Sequence, residues 1–209
     1  MTHQRFQHIK GFRAEELTPD DLKIIATLLD KHGVEKARFG TGGRLAIAAA
    51  PDVIQNVSSE LQLFPRFETA NGITYIHFCP GYDQCKYGVA NGKTIAGKIS
   101  QIVLPKPLKA KVKIAIAACK RCCTEPYIRD VGLIATAKGW KVLFGGNGGG
   151  RPRIGDLIAE GLSDEQAVEL VRRCLVYYQQ NSSVELRTAR FMEKIGSKRL
   201  CQAVLAESL

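Results

Sequence analysis

Apolar residues first recur at helical spacing in Leu22, Ile25, Ala26, Leu28 and Leu29, between Thr18-Pro19-Asp20-Asp21 and Gly33. Thr18 suits an N-cap and Pro19 the first helical position, and both acids sit where a helix is positively polarised. Two short strands are expected over 34–39 and 44–49, joined by Gly40-Thr41-Gly42-Gly43, with a second helix from Pro51 to about Leu61. The order strand, helix, strand, strand, helix suits a ferredoxin-like half domain over 1–70.

A polar stretch over 65–72 marks the boundary. The run over 73–78 then reads as a strand that delivers Cys79. A helix is expected over 90–103, ended by Pro105 and Pro107, and a half-exposed strand over 111–118 that runs into Cys119. A hairpin over 131–136 and 140–144 turns at Lys138-Gly139. Ser163, Asp164 and Glu165 open a helical tail, with helices to about 178, over 184–195 and over 198–205. The predicted class is α+β, with a second domain over 71–209.

Composition narrows the function. With 45% apolar and 24% charged residues, the 209-residue chain is of ordinary globular make-up. No apolar run approaches the roughly 20 residues of a membrane span, and MTHQRFQHIKGF lacks a signal core, so a cytoplasmic protein is expected. The net charge of +10 fits a solvated basic surface, an acidic partner or an anionic ligand. Aromatics are sparse and not interleaved with Lys and Arg, which argues against nucleic acid.

Seven cysteines is an odd number, and metal binding or burial is expected in place of disulfides. Cys79 and Cys85 form a C-x5-C, and Cys119 and Cys123 a C-x3-C. Thiolates are soft ligands, and four on loops suit an iron–sulfur cluster. Zinc and plain burial stay open at this point: Cys119 and Cys122 form a C-x2-C, but the C-x5-C is loose for a structural zinc site. Cys122 is surplus to a set of four, Cys174 sits in the apolar stripe of the tail helix, and Cys201 is expected to be structural.

The two cysteine pairs, CKYG (85–88), TGGR (41–44) and above all RDVGLIATAKGWKVLFGGNGGGRPRIGDL (129–157) resemble the siroheme and [4Fe–4S] domain of assimilatory sulfite and nitrite reductases. The resemblance implies that Cys79, Cys85, Cys119 and Cys123 hold a [4Fe–4S] cluster, with Cys123 bridging to siroheme. It also implies a six-electron reductase of a small oxyanion, sulfite being favoured over nitrite. Lys111 and Lys113, two apart on a strand, share a face and match the family's paired lysines over substrate, with Lys109 beside them. Gly146, Asn147 and Gly148, in a run of glycines, offer amides to siroheme carboxylates, and Arg151 and Arg153 flank them. Thr41 and Lys86 are further cofactor contacts, Arg44 a carboxylate or substrate contact, and Arg121 a donor to cluster sulfur or siroheme.

Some features depart from the family's pattern. Larger sulfite reductases carry two copies of the unit, so either a homodimer supplies the missing half here or the site is more open, the homodimer being favoured. Arg5, His8 and Lys10 occupy the region of an N-terminal arginine motif without matching it, and the Thr41 segment lacks the family's glutamine. No flavin or nicotinamide fingerprint is present, so electrons are expected from an external donor such as a ferredoxin. Two rival classes stay in view, a non-catalytic siroheme or cluster carrier and a zinc-bound basic interaction protein.

Overall fold

The Thr18 start signal is realised as a capping box. The Thr18 hydroxyl accepts the Asp21 N–H at 3.1 Å, and the Asp21 carboxylate accepts the Thr18 N–H at 2.8 Å. Helix α1 (Pro19–Lys31) follows, and Gly33, at φ 62°, ends it while the Val34 amide returns to the Leu29 carbonyl at 2.9 Å. That return occupies the residues just after Gly33, so β2 (Ala37–Gly40) starts later than the pattern predicts.

In this computed structural model, residues 5–9, 17–40, 43–61, 72–183 and 185–206 are described. The chain divides into two units, Met1–Glu68 and Thr69–Leu209. In the first, β1 (Phe6–His8), β2 and β3 (Arg44–Ala48) form an antiparallel sheet of order β1-β3-β2. Leu45 and Ile47 of β3 pack in one core with Ile25 and Leu28 of α1, Val57 of α2 (Pro51–Glu60), and Leu61.

The second unit is built on a five-stranded sheet, β4 (Ile73–Phe78), β5 (Val112–Ala117), β6 (Val131–Thr136), β7 (Gly139–Phe144) and β8 (Asp156–Leu162), in sequential order. β4, β5 and β6 run parallel; β6, β7 and β8 are antiparallel. A parallel pair needs a crossover, and α3 (Gly92–Ser100) supplies it. Asn91 sets its start by accepting the Thr94 N–H at 2.9 Å, two residues inside the predicted helix. Helices α4 (Asp164–Asn181), α5 (Thr188–Ile195) and α6 (Ser197–Val204) form the tail. α5 starts later than the pattern predicts because Glu185 takes a left-handed backbone, φ 63°, that no helix accepts. Among the described residues no helix is long and apolar enough to cross a membrane.

His77, Ala115 and Gly132 stand level on adjacent strands and so share one face of this sheet. The chain after Cys123 returns over that face: a Cβ on Gly132 would lie 2.2 Å from the Pro126 carbonyl oxygen. Small residues in β5 and β6 thus let the cysteine-bearing segment lie directly on the sheet.

Candidate metal and cofactor site

β4 and β5 end together, with Phe78 level with Ile116. Both cysteine-bearing loops therefore leave from the C-terminal edge of a parallel sheet, where such sheets place ligands. The Cys79 amide donates to the Ile116 carbonyl at 3.1 Å, and its Sγ accepts the Ala118 N–H at 3.0 Å. That N–H fixes the direction in which the sulfur points. Cys85 closes a tight turn, its amide donating to Gly81 at 2.8 Å, and the Val89 amide then returns the loop to the Ala118 carbonyl at 2.8 Å. The loop folds on itself so closely that a Cβ on Gly88 would lie 2.3 Å from the Tyr82 nitrogen, and one on Gly92 2.0 Å from the Cys79 oxygen.

The second loop is a tight turn as well. The Cys122 amide donates to Cys119 at 3.3 Å and the Glu125 amide to Cys122 at 2.8 Å. Cys122 and Glu125 both adopt left-handed backbone, φ 54° and 59°, uncommon outside glycine and worth explaining by function. Burial pushes the Cys122 thiol up, and Cys119, Cys123 and Cys79 add to the shift. Thiols from both loops therefore lie within electrostatic reach of one another. Among the described residues no three His, Cys, Asp or Glu side chains stand close enough to share one metal ion. His77 Nδ1, Thr124 Oγ1 and Arg129 Nε, on segments flanking these cysteines, are buried without a hydrogen-bond partner. Such orphans are rare in proteins and fit a site for a polar group.

Arg121 and Lys86 fall at the cysteine loops, their charges 3.6 Å and 5.1 Å from the centre of the Tyr87 ring. Lys111 and Lys113 lie towards the other end of β5. At about 3.3 Å per residue, the six steps from Lys113 to Cys119 span about 20 Å. The Lys113 amide donates to Asp130 at 2.9 Å and its ammonium lies 5.9 Å from the Tyr75 ring centre. Lys111 is exposed and lines a cleft with Leu108, Glu185 and Arg187. Lys109 donates to the Ser182 carbonyl at 2.7 Å, a tether to the tail. Arg44 stands in β3 of the first unit. Thr41 and Lys10 lie outside the described residues.

The glycine-rich turn divides in two. Gly145, at φ 82°, packs against Met192, and a Cβ on Gly146 would lie 2.5 Å from the Arg129 carbonyl oxygen. The Gly145 amide donates to Asp130, and Asn147 and Arg153 exchange both backbone hydrogen bonds at 2.8 Å. Gly145 and Gly146 are thus packing glycines, while a Cβ on Gly150 would meet nothing within 4 Å. A Cβ on Gly148 would lie 2.9 Å from the Ile128 side chain, so the open part of the turn begins after Gly148. Arg153 turns inward, donating to the Gly145 carbonyl at 2.9 Å and to Asp156 at 2.6 Å. Arg151 faces out, 74% exposed and 3.0 Å from Glu193.

Sequence reasoning missed four residues here. His77 is one, its imidazole held below its usual pKa by burial and then by Arg129. The others are Arg129, which pairs with Glu125, the buried Thr124, and Asp130. His77 carried a signal of its own, two residues before Cys79 on a strand and so on the face Cys79 continues, while Arg129 and Asp130 open the segment that carries the resemblance.

Fold and loops together define an iron–sulfur protein of α+β class. Residues 69–209 match the nitrite and sulphite reductase 4Fe-4S domain, and the chain belongs to that family. It is 37% identical over 190 residues to an assimilatory-type sulfite reductase of Nitratidesulfovibrio vulgaris, covering 90% of this chain and 87% of that one. It is 27% identical over 177 residues to a nitrite reductase [NAD(P)H] of Bacillus subtilis, covering 84% of this chain but 22% of the relative. Among solved structures, dissimilatory sulfite reductase I superposes with a TM-score of 0.79 over 98% of this chain and 69% of that one, at 10% identity. The Mycobacterium tuberculosis NirA protein gives 0.70 over 96% and 41%, at 17% identity. At such identities the likeness is one of fold, and the expected family and fold class hold.

Proposed function

We propose that the chain is a siroheme-dependent reductase that takes sulfite to sulfide, with Cys79, Cys85, Cys119 and Cys123 as cluster ligands. The observation that carries this reading is the common exit of both cysteine loops from β4 and β5, with Cys79 Sγ held by the Ala118 amide. A [4Fe–4S] cluster joined through Cys123 to siroheme would supply one-electron steps and an iron at which an oxyanion can be reduced.

The chain's own residues supply charge, orientation and protons. Arg121, Lys86 and Arg151 offer cations to the cofactor carboxylates; Asn147 and Gly148 bring backbone close to them, with Gly146 packed beneath as their support, and Thr41 is a further contact. Arg153 holds this turn in place through Asp156. Arg44, Lys111 and Lys113 are the substrate-facing cations, attracting the anion and delivering protons from Nζ of the lysines. The span along β5 between Lys113 and Cys119 supports a homodimer in which these lysines serve the partner's site. Electrons come from an external acidic donor such as a ferredoxin, and the protein is placed in the cytoplasm.

Sulfite is favoured because the assimilatory-type sulfite reductase matches this chain along nearly its whole length, whereas the chain covers about a fifth of the Bacillus nitrite reductase. Given reduced methyl viologen, the purified protein consumes sulfite faster than nitrite; the reverse ranking reassigns the substrate. The carrier reading is separated by Lys111→Met with Lys113→Met: an enzyme loses turnover and keeps its cofactors, and a carrier is indifferent.

A further inference from the structure

Cys79 and Cys119 are placed by strands that leave the sheet side by side. Cys85 has no such anchor, since it sits six residues into a loop, and its position depends on what holds that loop to the second one. Among the described residues, the backbone hydrogen bonds from this loop to the end of β5 are those of the Cys79 and Val89 amides, while Cys85 is held by its own turn, through Gly81 and Gly88. Between them, the Arg121 guanidinium stacks on the Tyr87 ring at 3.6 Å from its centre, with Lys86 Nζ 5.1 Å from the same ring. Arg121 belongs to the C-x3-C loop and Tyr87 follows Cys85 by two residues. Among the described residues neither Arg121 nor Lys86 has a carboxylate within ion-pair distance.

We infer that the Arg121–Tyr87 stack is a clip that joins the two cysteine loops and holds Cys85 in place for the cluster. The inference rests on the cluster assignment above, and it makes Tyr87 a positioning residue. A cation held over an aromatic face within about 6 Å is attracted by the ring quadrupole. Here that attraction spans the gap between two loops that share no regular structure. The same cation has an electronic effect: reduction adds negative charge to a cluster, and a nearby guanidinium favours the reduced form. One residue pair thus governs both how firmly the cluster is held and how readily it accepts an electron. Tyr87 is 43% exposed and outside the core, so its replacement leaves the fold intact.

The test uses anaerobically purified holoprotein. Cluster loss to bathophenanthroline disulfonate is followed by the decay of the cluster absorbance, and the midpoint potential by titration. Tyr87→Leu and Arg121→Gln each release iron about 2- to 5-fold faster, the worth of one exposed cation–π contact. The double variant is no faster than Tyr87→Leu alone, because the leucine already removes the contact that Arg121→Gln breaks. Tyr87→Phe keeps the aromatic face and behaves as wild type. Arg121→Gln also moves the midpoint potential to more negative values, which Arg121→Lys restores. Additive effects in the double variant, or equal rates in Tyr87→Leu and wild type, overturn the clip while leaving the cluster in place. A wild-type protein without iron and sulfide overturns the cluster assignment itself, and the clip with it.

Discussion

Cys122 and Cys123 are adjacent and face different fates. Cys122 is partly buried in left-handed backbone with its thiol pushed up by burial, while Cys123 is exposed at the head of the segment that returns over the sheet. Cys123→Ser is expected to lower iron and sulfide content and to cut activity by more than about 100-fold, beyond the cost of losing a neighbour of a ligand. Cys122→Ala leaves metal content unchanged, and iron analysis of both variants checks the pair. The glycines divide in the same way. Gly92→Ala pushes a methyl onto the Cys79 carbonyl and is expected to cost more than about 3 kcal/mol, whereas Gly150→Ala meets open space and stays within about 0.5 kcal/mol. Thermal melts of the two proteins separate them. From the sequence, six neighbouring residues rich in glycine read as one anion-binding turn. Only neighbours brought close by the fold, Met192 and the Arg129 carbonyl, reveal that Gly145 and Gly146 are there for packing.

At the scale of elements, Asp130 fastens the tail to the sheet. Its buried carboxylate accepts the Lys113 N–H at 2.9 Å, Arg187 at 2.7 Å and the Thr188 hydroxyl at the start of α5. Removing one partner of a buried pair leaves the other charge uncompensated, so Asp130→Ala is expected to cost about 3 kcal/mol or more, roughly 10 °C in Tm by calorimetry. Glu169 ties α4 internally: Arg172, then Arg173, hold its carboxyl down at about 2 from an ordinary 4.5. A carboxyl depressed in the folded state contributes stability that is present above 4.5 and lost as pH falls through about 2. The group is partly exposed and screened, so Glu169→Gln lowers Tm by only about 1–3 °C at neutral pH. The gap closes near pH 2 and narrows in salt, and melts across that range show it. Elements were legible where local signals sufficed: β4 from its β-branched and aromatic residues, and α1 and α4 from their N-cap residues and first-turn acids. β8 was not, because its buried positions do not alternate, Leu157 is half exposed, and its register with β7 shifts twice.

At the scale of the whole molecule, two short motifs far apart in sequence leave the same edge of the sheet because β4 and β5 are parallel neighbours. The cysteine spacing and the 129–157 segment made the family legible before any coordinates. The Lys109–Ser182 and Arg153–Asp156 contacts were not legible, since nothing in a residue's type tells whether its charge faces inward. The measurement that tests the account most directly is a visible spectrum with iron and acid-labile sulfide analysis on protein purified without air. The account predicts a tetrapyrrole spectrum over a cluster envelope, with iron in slight excess over sulfide. A colourless protein, or one that carries zinc and no sulfide, contradicts it.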